Sequence, residues 1–351
     1  MPVNIKAAIL GAGYMGSAIT FPLSDNQIKV NLLGTWLDDE IVQSSIKGFH
    51  PKLKKALPEN VSIYYWQDLD AALEDVNVIF IAVTSEGFVN IFQKTLDILD
   101  RNNDYTFFKL TKGFVQYKGK IMRATEAAFD IYSEKFPDKE LKIATVGGPV
   151  RAVDLSHRVV SASIYGLSDI KIKDTAMTLC TDYYRIFTND DIKSIELCSA
   201  FKNIYAMAAG ICDGLYKEKK EGFYYNTVSF LFNQACLEIA EIVQAAGGNR
   251  QIAFDLAGIG DLHVTSTAGR NRHYGELVGK GIDGDVAFNR MFKMGEYGEG
   301  YIALKLALPW IKINIPNICK KIPLLLSINN IIFNKCDPAE EFAKLISNLV
   351  G

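Results

Sequence analysis

Residues 5–33 read IKAAILGAGYMGSAITFPLSDNQIKVNLL, and this stretch decides the fold predicted for the first half of the chain. Residues 5–10 are a short apolar strand candidate, residues 15–23 a helix candidate and residues 28–33 a second strand candidate. The first strand runs into the helix through three glycines in G-x-G-x-x-G spacing, Gly11, Gly13 and Gly16. Strand, glycine turn, helix and strand in this order are typical of a dinucleotide-binding unit.

The glycine spacing has a physical basis in such a unit. The first glycine permits a tight turn, the second lets the backbone approach a pyrophosphate, and the third lets the helix pack closely on the strand. The helix N-terminus adds N–H donors and the positive end of a dipole. A plain β-α turn without a ligand is the alternative. We predict a nicotinamide-cofactor loop made of Gly11, Ala12, Gly13, Tyr14, Met15 and Gly16.

The end of the second strand should distinguish NAD from NADP. In this fold an acidic residue there holds the ribose 2′-OH of NAD, whereas an arginine accommodates the 2′-phosphate of NADP. Here the strand ends in Gly34, Thr35 and Trp36, while Asp38 and Asp39 follow about one turn too late. We expect Thr35 to contact the cofactor, and the preference between NAD and NADP stays open.

Strand and helix candidates alternate as far as about residue 190. The strand candidates are residues 61–65, 76–83, 105–110, 141–146, 159–165 and 185–188, and the helix candidates are residues 67–74, 88–99, 119–132 and 168–182. This alternation predicts an α/β fold with a Rossmann-type doubly wound sheet. From residue 192 the pattern becomes helical. The prediction is a dinucleotide-binding domain at residues 1–190 and an all-helical substrate and catalytic domain at residues 191–351.

Two lysines are candidates for chemistry. Lys112 follows a strand candidate in the tripeptide T-K-G, where ligands bind in doubly wound sheets, and a solvated loop lysine is the alternative. Lys202 lies in AFKNIYAMAAG, residues 200–210, an otherwise apolar helical stretch. A buried ammonium is costly without a partner or a function, but a lysine on a helix often extends its charge to water instead.

Residues 258–281 read GIGDLHVTSTAGRNRHYGELVGKG and carry more polar groups than a connector needs. Arginine suits two-pronged recognition of phosphate, and asparagine both donates and accepts hydrogen bonds. A solvated surface loop is the alternative. The candidate binding residues in this segment are Asp261, Thr265, Arg270 and Asn271.

Composition argues against several other functions. The formal net charge of −2 disfavours a nucleic-acid-binding surface, and the six cysteines contain no C-x-x-C pair that would suggest a zinc site. No signal peptide is recognisable, and no apolar run reaches the ~18 residues of a membrane span. We therefore expect a cytoplasmic protein that binds no metal or nucleic acid and does not insert stably into a membrane.

Together, these motifs resemble the NAD(P)-dependent glycerol-3-phosphate dehydrogenase family. The S-A-x-K-N helix and the G-x-G-D-L-x-x-T…R-N run are the most specific pieces, because neither follows from general fold rules. The resemblance implies a Rossmann-type N-terminal domain and a helical C-terminal domain. The matching pieces run in order along most of the chain: GAGYMG, TKGF, GGPVRAVD, ELCSAFKNIYAMAAG, GIGDLHVTSTAGRN and GEG.

The resemblance also implies roles for single residues. Lys202 matches the catalytic lysine of the family, Lys112 matches a second active-site lysine, and Asp261 joins them in the active site. Substrate contacts fall on Thr265, Arg270, Asn271 and Gly148. Cofactor contacts beyond the glycine loop and Thr35 fall on Lys112, Ala152, Arg270 and Glu299. The chain departs from the G-P-x-x-A-x-E pattern of the family, because Asp154 replaces the glutamate and Arg151 is unusual.

The reaction implied by the resemblance is reversible hydride transfer between NAD(P)H and C2 of dihydroxyacetone phosphate. It gives sn-glycerol 3-phosphate, which would serve glycerophospholipid synthesis. In this hypothesis Lys202 is the general acid/base, Lys112 polarises the same oxygen, and Arg270 with Asn271 anchors the phosphate. The alternatives are a related dehydrogenase acting on another small polyol or sugar phosphate, and a cofactor-binding regulator without catalysis. The apolar helices of the second domain would also accommodate a homodimer interface.

Overall fold

The computed structural model describes residues 5–218 and 224–350. The chain divides into two compact units, one that ends at Glu196 and one that begins at Leu197. The division falls inside a long helix that starts at Ile192, just after the boundary predicted at residue 190.

The first unit is built on one large sheet. Eight strands lie in the order β10-β9-β8-β5-β4-β1-β2-β3, and every neighbouring pair is parallel except β8 with β9. Six of these strands, in the order β3-β2-β1-β4-β5-β8, have the arrangement of a doubly wound dinucleotide-binding sheet. The predicted fold class is therefore confirmed. The strands are β1 (Lys6–Leu10), β2 (Lys29–Leu33), β3 (Val61–Tyr64), β4 (Val78–Ile81), β5 (Thr106–Lys109), β6 (Phe114–Tyr117), β7 (Lys120–Arg123), β8 (Lys142–Gly147), β9 (Ser161–Leu167) and β10 (Tyr184–Asn189).

Helices cover both faces of this sheet. One apolar core includes Ile19 and Phe21 of the first helix, and the other includes Phe88 and Phe92 of the fourth. The central strand β4 is buried at all four residues, which explains its continuous apolar sequence. The helices are α1 (Tyr14–Asp25), α2 (Asp39–Ile46), α3 (Leu69–Leu73), α4 (Ser85–Ile98), α5 (Ala124–Lys135), α6 (Ala152–Ser156) and α7 (Ile172–Met177).

The helix predicted at residues 119–132 is wrong at its start. Residues 114–123 form the antiparallel hairpin β6–β7 instead, and α5 begins only at Ala124. The two turn residues, Lys118 and Gly119, have φ of 47° and 73°. Two successive left-handed residues make the turn whose twist matches a β-hairpin, and they cannot open a right-handed helix.

The helix predicted at residues 168–182 is also shorter than expected, since only Ile172–Met177 is helical. Side chains bind the backbone on both sides of it. The Asp169 carboxylate accepts from the Lys171 N–H at 2.8 Å, and Thr181 Oγ1 accepts from the Tyr184 N–H at 2.9 Å. Such local hydrogen bonds compete with helix formation.

The second unit is helical throughout its described residues, as predicted, and none of the described helices of the chain is long and apolar enough to cross a membrane. One π-helical turn, Leu256–Gly260, precedes α10. The helices, counting the one that enters this unit at Leu197, are α8 (Ile192–Tyr216), α9 (Tyr225–Ala245), α10 (Asp261–Thr267), α11 (Arg270–Gly279), α12 (Gly284–Lys293), α13 (Glu299–Asn314), α14 (Pro323–Phe333) and α15 (Pro338–Val350).

Glycines bring α8 and α11 into backbone contact. A Cβ added at Gly210 of α8 would lie 1.9 Å from the Arg272 carbonyl oxygen. A Cβ added at Gly275 of α11 would lie 2.2 Å from the Met207 carbonyl oxygen. Both distances are far below van der Waals contact, so only glycine fits at this crossing. The crossing fixes the helix that carries Lys202 against the helix that begins with Arg270.

Candidate active site

Lys202 is buried in the second unit and forms an ion pair with Asp261. The residue is 5% exposed, and its Nζ donates to Asp261 Oδ1 and, at 2.9 Å, to Thr265 Oγ1. Asp261 opens α10 and is 1% exposed. Thr265 lies one turn later and donates to the Asp261 carbonyl oxygen at 2.7 Å. The lysine therefore does not extend its charge to water, and two groups from α10 hold its ammonium in place.

A second polar network joins the starts of α11 and α13 to α8. Arg270 Nη2 donates to Glu299 Oε1 at 2.9 Å, and Asn203 Nδ2 donates to Glu299 Oε2 at 2.9 Å. Asn271 Nδ2 donates to Asn203 Oδ1 at 3.0 Å, and Asn271 Oδ1 accepts from the Gly300 N–H at 2.8 Å. Because Asn203 follows Lys202 in α8, this network begins one residue from the Lys202–Asp261 pair.

Arg270 and Arg272 have different surroundings although they are near neighbours in α11. The Arg272 guanidinium binds both oxygens of Asp213, at 2.5 and 2.9 Å, and donates to the Ser266 and Thr267 carbonyl oxygens. Asp213 raises the pKa of Arg272, so this arginine stays charged and serves packing. Arg270 instead pairs with Glu299, and both side chains of that pair are about one-third exposed.

The glycine loop of the first unit has the geometry that its sequence predicts. Gly11 has a φ of 111°, and a Cβ added there would lie 2.6 Å from the Ala82 carbonyl oxygen. A Cβ added at Gly16 would lie 2.0 Å from the Gly11 carbonyl oxygen, whereas a Cβ at Gly13 would meet no atom within 4 Å. Gly11 and Gly16 thus permit close packing, and Gly13 leaves open space at the N-terminus of α1. This cradle fits a dinucleotide pyrophosphate.

His50 supports this loop and was not predicted from the sequence. The side chain is fully buried, and its Nδ1 accepts from the Leu53 N–H at 3.2 Å. Because Nδ1 accepts, Nε2 carries the proton and donates to the Ala12 carbonyl oxygen at 3.2 Å. Burial lowers the pKa of His50, which favours this neutral form.

Lys112 lies next to a buried charge cluster in the first unit. Lys109, the last residue of β5, is 1% exposed; its Nζ lies 3.0 Å from Glu196 Oε1 and donates to the Thr111 carbonyl oxygen at 2.7 Å. Arg123 Nη1 also donates to Glu196, at 3.1 Å. Burial raises the pKa of Glu196, but Lys109 and Arg123 together bring it below its usual value. The cluster fixes the loop that carries Lys112, which is itself half-buried.

The remaining predicted residues of the first unit follow the carboxyl ends of parallel strands. Thr35 comes after β2, Lys112 after β5, and Gly148 after β8, where its φ is 115°. Ala152 opens α6. Arg151 is about half exposed and lies 3.7 Å from Asp154, its partner in an ion pair. The glycine loop, Thr35, Lys112 and Gly148 therefore share one edge of the sheet.

Two family models match nearly the whole chain. Residues 6–172 match the model of the NAD-dependent glycerol-3-phosphate dehydrogenase N-terminus, and residues 191–343 match the model of its C-terminus. The chain belongs to this family. The resemblance inferred from the sequence motifs is thereby confirmed.

The glycerol-3-phosphate dehydrogenases to which this chain is similar include one named for NADP(+) and others named for NAD(P)+. The NADP(+)-dependent glycerol-3-phosphate dehydrogenase of Archaeoglobus fulgidus is 31% identical over 84% of this chain and 86% of its own length. The glycerol-3-phosphate dehydrogenase [NAD(P)+] of Clostridium perfringens is 30% identical over 86% of each chain. The crystal structure of glycerol-3-phosphate dehydrogenase from Coxiella burnetii superposes with a TM-score of 0.83 at 27% identity, covering 97% of this chain and 98% of that one.

Among the groups that sequence reasoning missed, Asn203 is the most closely tied to the candidate residues of the glycerol-3-phosphate dehydrogenase fold. It is 3% exposed and hydrogen-bonds to both Glu299 and Asn271. A carboxamide inside an apolar helix, directly after Lys202, was the available signal, because a buried amide needs partners. Glu196 and His50 gave no comparable local signal.

Proposed function

We propose that this chain catalyses reversible hydride transfer between NAD(P)H and C2 of dihydroxyacetone phosphate, giving sn-glycerol 3-phosphate. One observation carries the proposal: a buried lysine–carboxylate pair adjoins an arginine–glutamate–asparagine network within one helical unit. The first arrangement suits proton transfer, and the second suits recognition of a phosphate. The names of the relatives in Archaeoglobus and Clostridium support the same reaction.

The glycine loop and the N-terminus of α1 would hold the pyrophosphate of the cofactor. No acidic residue stands in the first turn of α1, so nothing there opposes an anion. When bound, the reduced nicotinamide supplies the hydride that the carbonyl carbon receives. The task of the chain's own residues is to fix the substrate, stabilise the developing alkoxide and deliver a proton.

Lys202 is our choice for the proton donor in the reducing direction and the acceptor in the oxidising direction. The C2 oxygen becomes an alkoxide as hydride arrives, and Lys202 Nζ then gives it a proton. Asp261 and Thr265 orient the ammonium through the two hydrogen bonds described above. Lys112 is proposed to polarise the same oxygen. General acid–base help of this kind contributes roughly 10²–10⁴ in rate.

Arg270 and Asn271 are our choice for the phosphate anchor. The Arg270 guanidinium is oriented by Glu299 and remains partly exposed, while Asn271 is fixed by Asn203 and Gly300. An arginine held in one orientation binds a phosphate with little further loss of side-chain freedom. Anchoring the phosphate also places the carbonyl, which contributes to catalysis through orientation. We further propose that the product serves glycerophospholipid synthesis in the cytoplasm.

The test is a steady-state assay that follows the absorbance of reduced nicotinamide. NADH and NADPH are each offered with dihydroxyacetone phosphate, with unphosphorylated dihydroxyacetone and with a panel of other small sugar phosphates. We expect turnover with dihydroxyacetone phosphate and far weaker turnover with dihydroxyacetone. A better substrate elsewhere in the panel would favour the related polyol or sugar phosphate dehydrogenase, and cofactor binding without turnover would favour a regulator.

A further inference from the structure

We infer that Lys94, held over the indole rings of Trp36 and Trp66, forms a binding site for a ribose 2′-phosphate and gives the protein a preference for NADPH over NADH. This inference rests on the proposed function, because it requires a nicotinamide dinucleotide at the glycine loop. The sequence motifs do not single out Lys94, and the end of β2 leaves the preference between NAD and NADP open.

Thr35 and Asp38, which follow the end of β2, are already hydrogen-bonded to each other. The Thr35 N–H and hydroxyl both donate to Asp38 Oδ2, at 2.9 and 2.8 Å. The Thr35 hydroxyl oxygen also accepts from the Leu37 N–H at 3.3 Å. Asp38 is only 9% exposed, so its carboxylate stabilises the turn. A carboxylate directed at the ribose, the usual basis for choosing NAD, is therefore not provided by this residue.

The ammonium of Lys94 lies over two aromatic rings beside the same turn. Trp36 directly follows Thr35, is 44% exposed and meets the Trp66 ring edge-to-face at 5.2 Å between centroids. Lys94 of α4 places its Nζ 5.7 Å from the Trp36 centroid and 5.6 Å from the Trp66 centroid. Both distances lie within cation–π range, and tryptophan is the strongest partner for this interaction.

The ammonium of Lys94 is positioned by the two indole rings and is also accessible to solvent. The side chain is exposed, and within residues 5–218 and 224–350 Lys94 forms no ion pair with a carboxylate. The two indoles restrict the flexible lysine stem before any ligand binds, which reduces the ordering cost of binding. The exposed Trp36 ring also offers an apolar surface on which a flat base can stack. An ammonium beside such a surface suits an adenosine that carries a 2′-phosphate.

The experiment measures binding directly, by calorimetric titration of the full chain with NADPH, NADH, 2′,5′-ADP and 5′-AMP. The variant is Lys94→Met, which keeps the length of the side chain and removes its charge. The matched control is Lys305→Met, because Lys305 also lies over two rings, with its Nζ 4.6 Å from the Tyr301 centroid and 6.0 Å from the Phe333 centroid. Lys305 belongs to the second unit and has no proposed role in binding or catalysis.

We expect the unmodified protein to bind NADPH more tightly than NADH and 2′,5′-ADP more tightly than 5′-AMP. Lys94→Met should weaken NADPH and 2′,5′-ADP about tenfold, the usual loss for one charged hydrogen bond, and leave NADH and 5′-AMP within about twofold. Lys305→Met should change none of the four affinities.

The outcomes separate this inference from the proposed function. Equal affinities for NADPH and NADH, or a Lys94→Met variant that weakens both cofactors alike, would overturn the role of Lys94 and leave the dehydrogenase proposal standing. Failure of the unmodified protein to bind either dinucleotide would overturn both.

Discussion

Asn203 and Arg270 donate hydrogen bonds to opposite oxygens of the same carboxylate, Glu299, each at 2.9 Å. Asn203 belongs to α8 and directly follows Lys202, whereas Arg270 opens α11. The proposed acid/base and the proposed phosphate anchor are therefore linked through one glutamate. A substitution that disturbs Glu299 should affect both ends of the substrate.

Lys202→Met should lower kcat by roughly 10²–10⁴, because the proton donor is lost while the glycine loop is untouched. Cofactor affinity, measured by titration with NADH and NADPH, should stay near normal. The variant leaves Asp261 buried without its counter-charge, which costs about 3–5 kcal/mol of unfolding free energy.

A companion variant separates chemistry from folding. Lys202→Met/Asp261→Asn removes the uncompensated charge, so we expect stability to recover in urea unfolding while turnover stays low. Lys280→Met provides the control, since that exposed lysine pairs with Glu276 at 2.9 Å and should not affect either measurement. Near-normal kcat in either Lys202 variant would remove this residue from the mechanism.

Arg270→Gln should affect substrate binding, whereas Arg272→Gln should affect stability. Arg270→Gln should raise KM for dihydroxyacetone phosphate about tenfold or more, through loss of a charged contact, with little effect on stability. Arg272→Gln should lower the unfolding free energy by about 3–5 kcal/mol, because it leaves the buried Asp213 carboxyl group without its arginine partner. Steady-state kinetics and urea unfolding of both variants check this. An unchanged KM for Arg270→Gln would show that the phosphate binds elsewhere.

His50→Leu should weaken NADH and NADPH alike. It removes the donor to the Ala12 carbonyl oxygen, and the loss of one hydrogen bond that orients the glycine loop should raise both Kd values about fivefold. The value of kcat at saturating cofactor should change little. His157→Leu is the control, because His157 is an exposed histidine of the same unit whose ring bonds to Ser156 and Val153 of its own turn. Equal effects of the two substitutions would refute a specific role for His50.

Glu238 makes the stability of the second unit depend on pH. The side chain is fully buried, and burial raises its pKa to about 7, although Tyr205, Gln234 and the N–H groups of Leu324 and Leu325 donate to it. Because its folded pKa lies above the unfolded value, its contribution is fully present below about pH 4.5 and is lost as pH rises through 7.

The loss amounts to about 3 kcal/mol, because the folded pKa of about 7 lies well above the ordinary pKa of a glutamate. Glu238→Gln cannot titrate and serves as the reference. Urea unfolding at several pH values should therefore show the advantage of the unmodified protein over Glu238→Gln shrinking between about pH 4.5 and pH 8. A difference that is independent of pH would contradict the raised pKa.

The sequence was most informative where one physical requirement dominated a whole segment. Burial on both faces requires a continuous apolar strand, so β4 was recognisable from its residues alone. The hairpin β6–β7 was not recognised, because Lys118 is an unusual residue in left-handed conformation and the following Gly119 suggested the start of a helix. Tertiary packing of the hairpin decided the outcome over local preference.

In the candidate site, too, some residues were predictable from the local sequence and others were not. Lys202 was a candidate because a lysine in an apolar helix is unusual. Asp261 was a candidate because it belongs to a specific motif. His50 and Ala12 meet across 38 residues, and Glu196 meets Thr125 across 71. A single sequence does not indicate which distant residues will be in contact. These supporting residues can therefore be identified only in the folded structure.

Because the backbones of α8 and α11 touch at Gly210 and Gly275, small substitutions at these glycines should be more damaging than their size suggests. Alanine at Gly210 or Gly275 would push apart two helix backbones that now touch, and with them Asn203 and Asn271. Neither glycine has a side chain to meet a substrate, yet either exchange should look like an active-site lesion in a functional screen. A scoring scheme based on chemical similarity would rate a glycine-to-alanine substitution as mild. Such a scheme would underestimate the damage at these two positions.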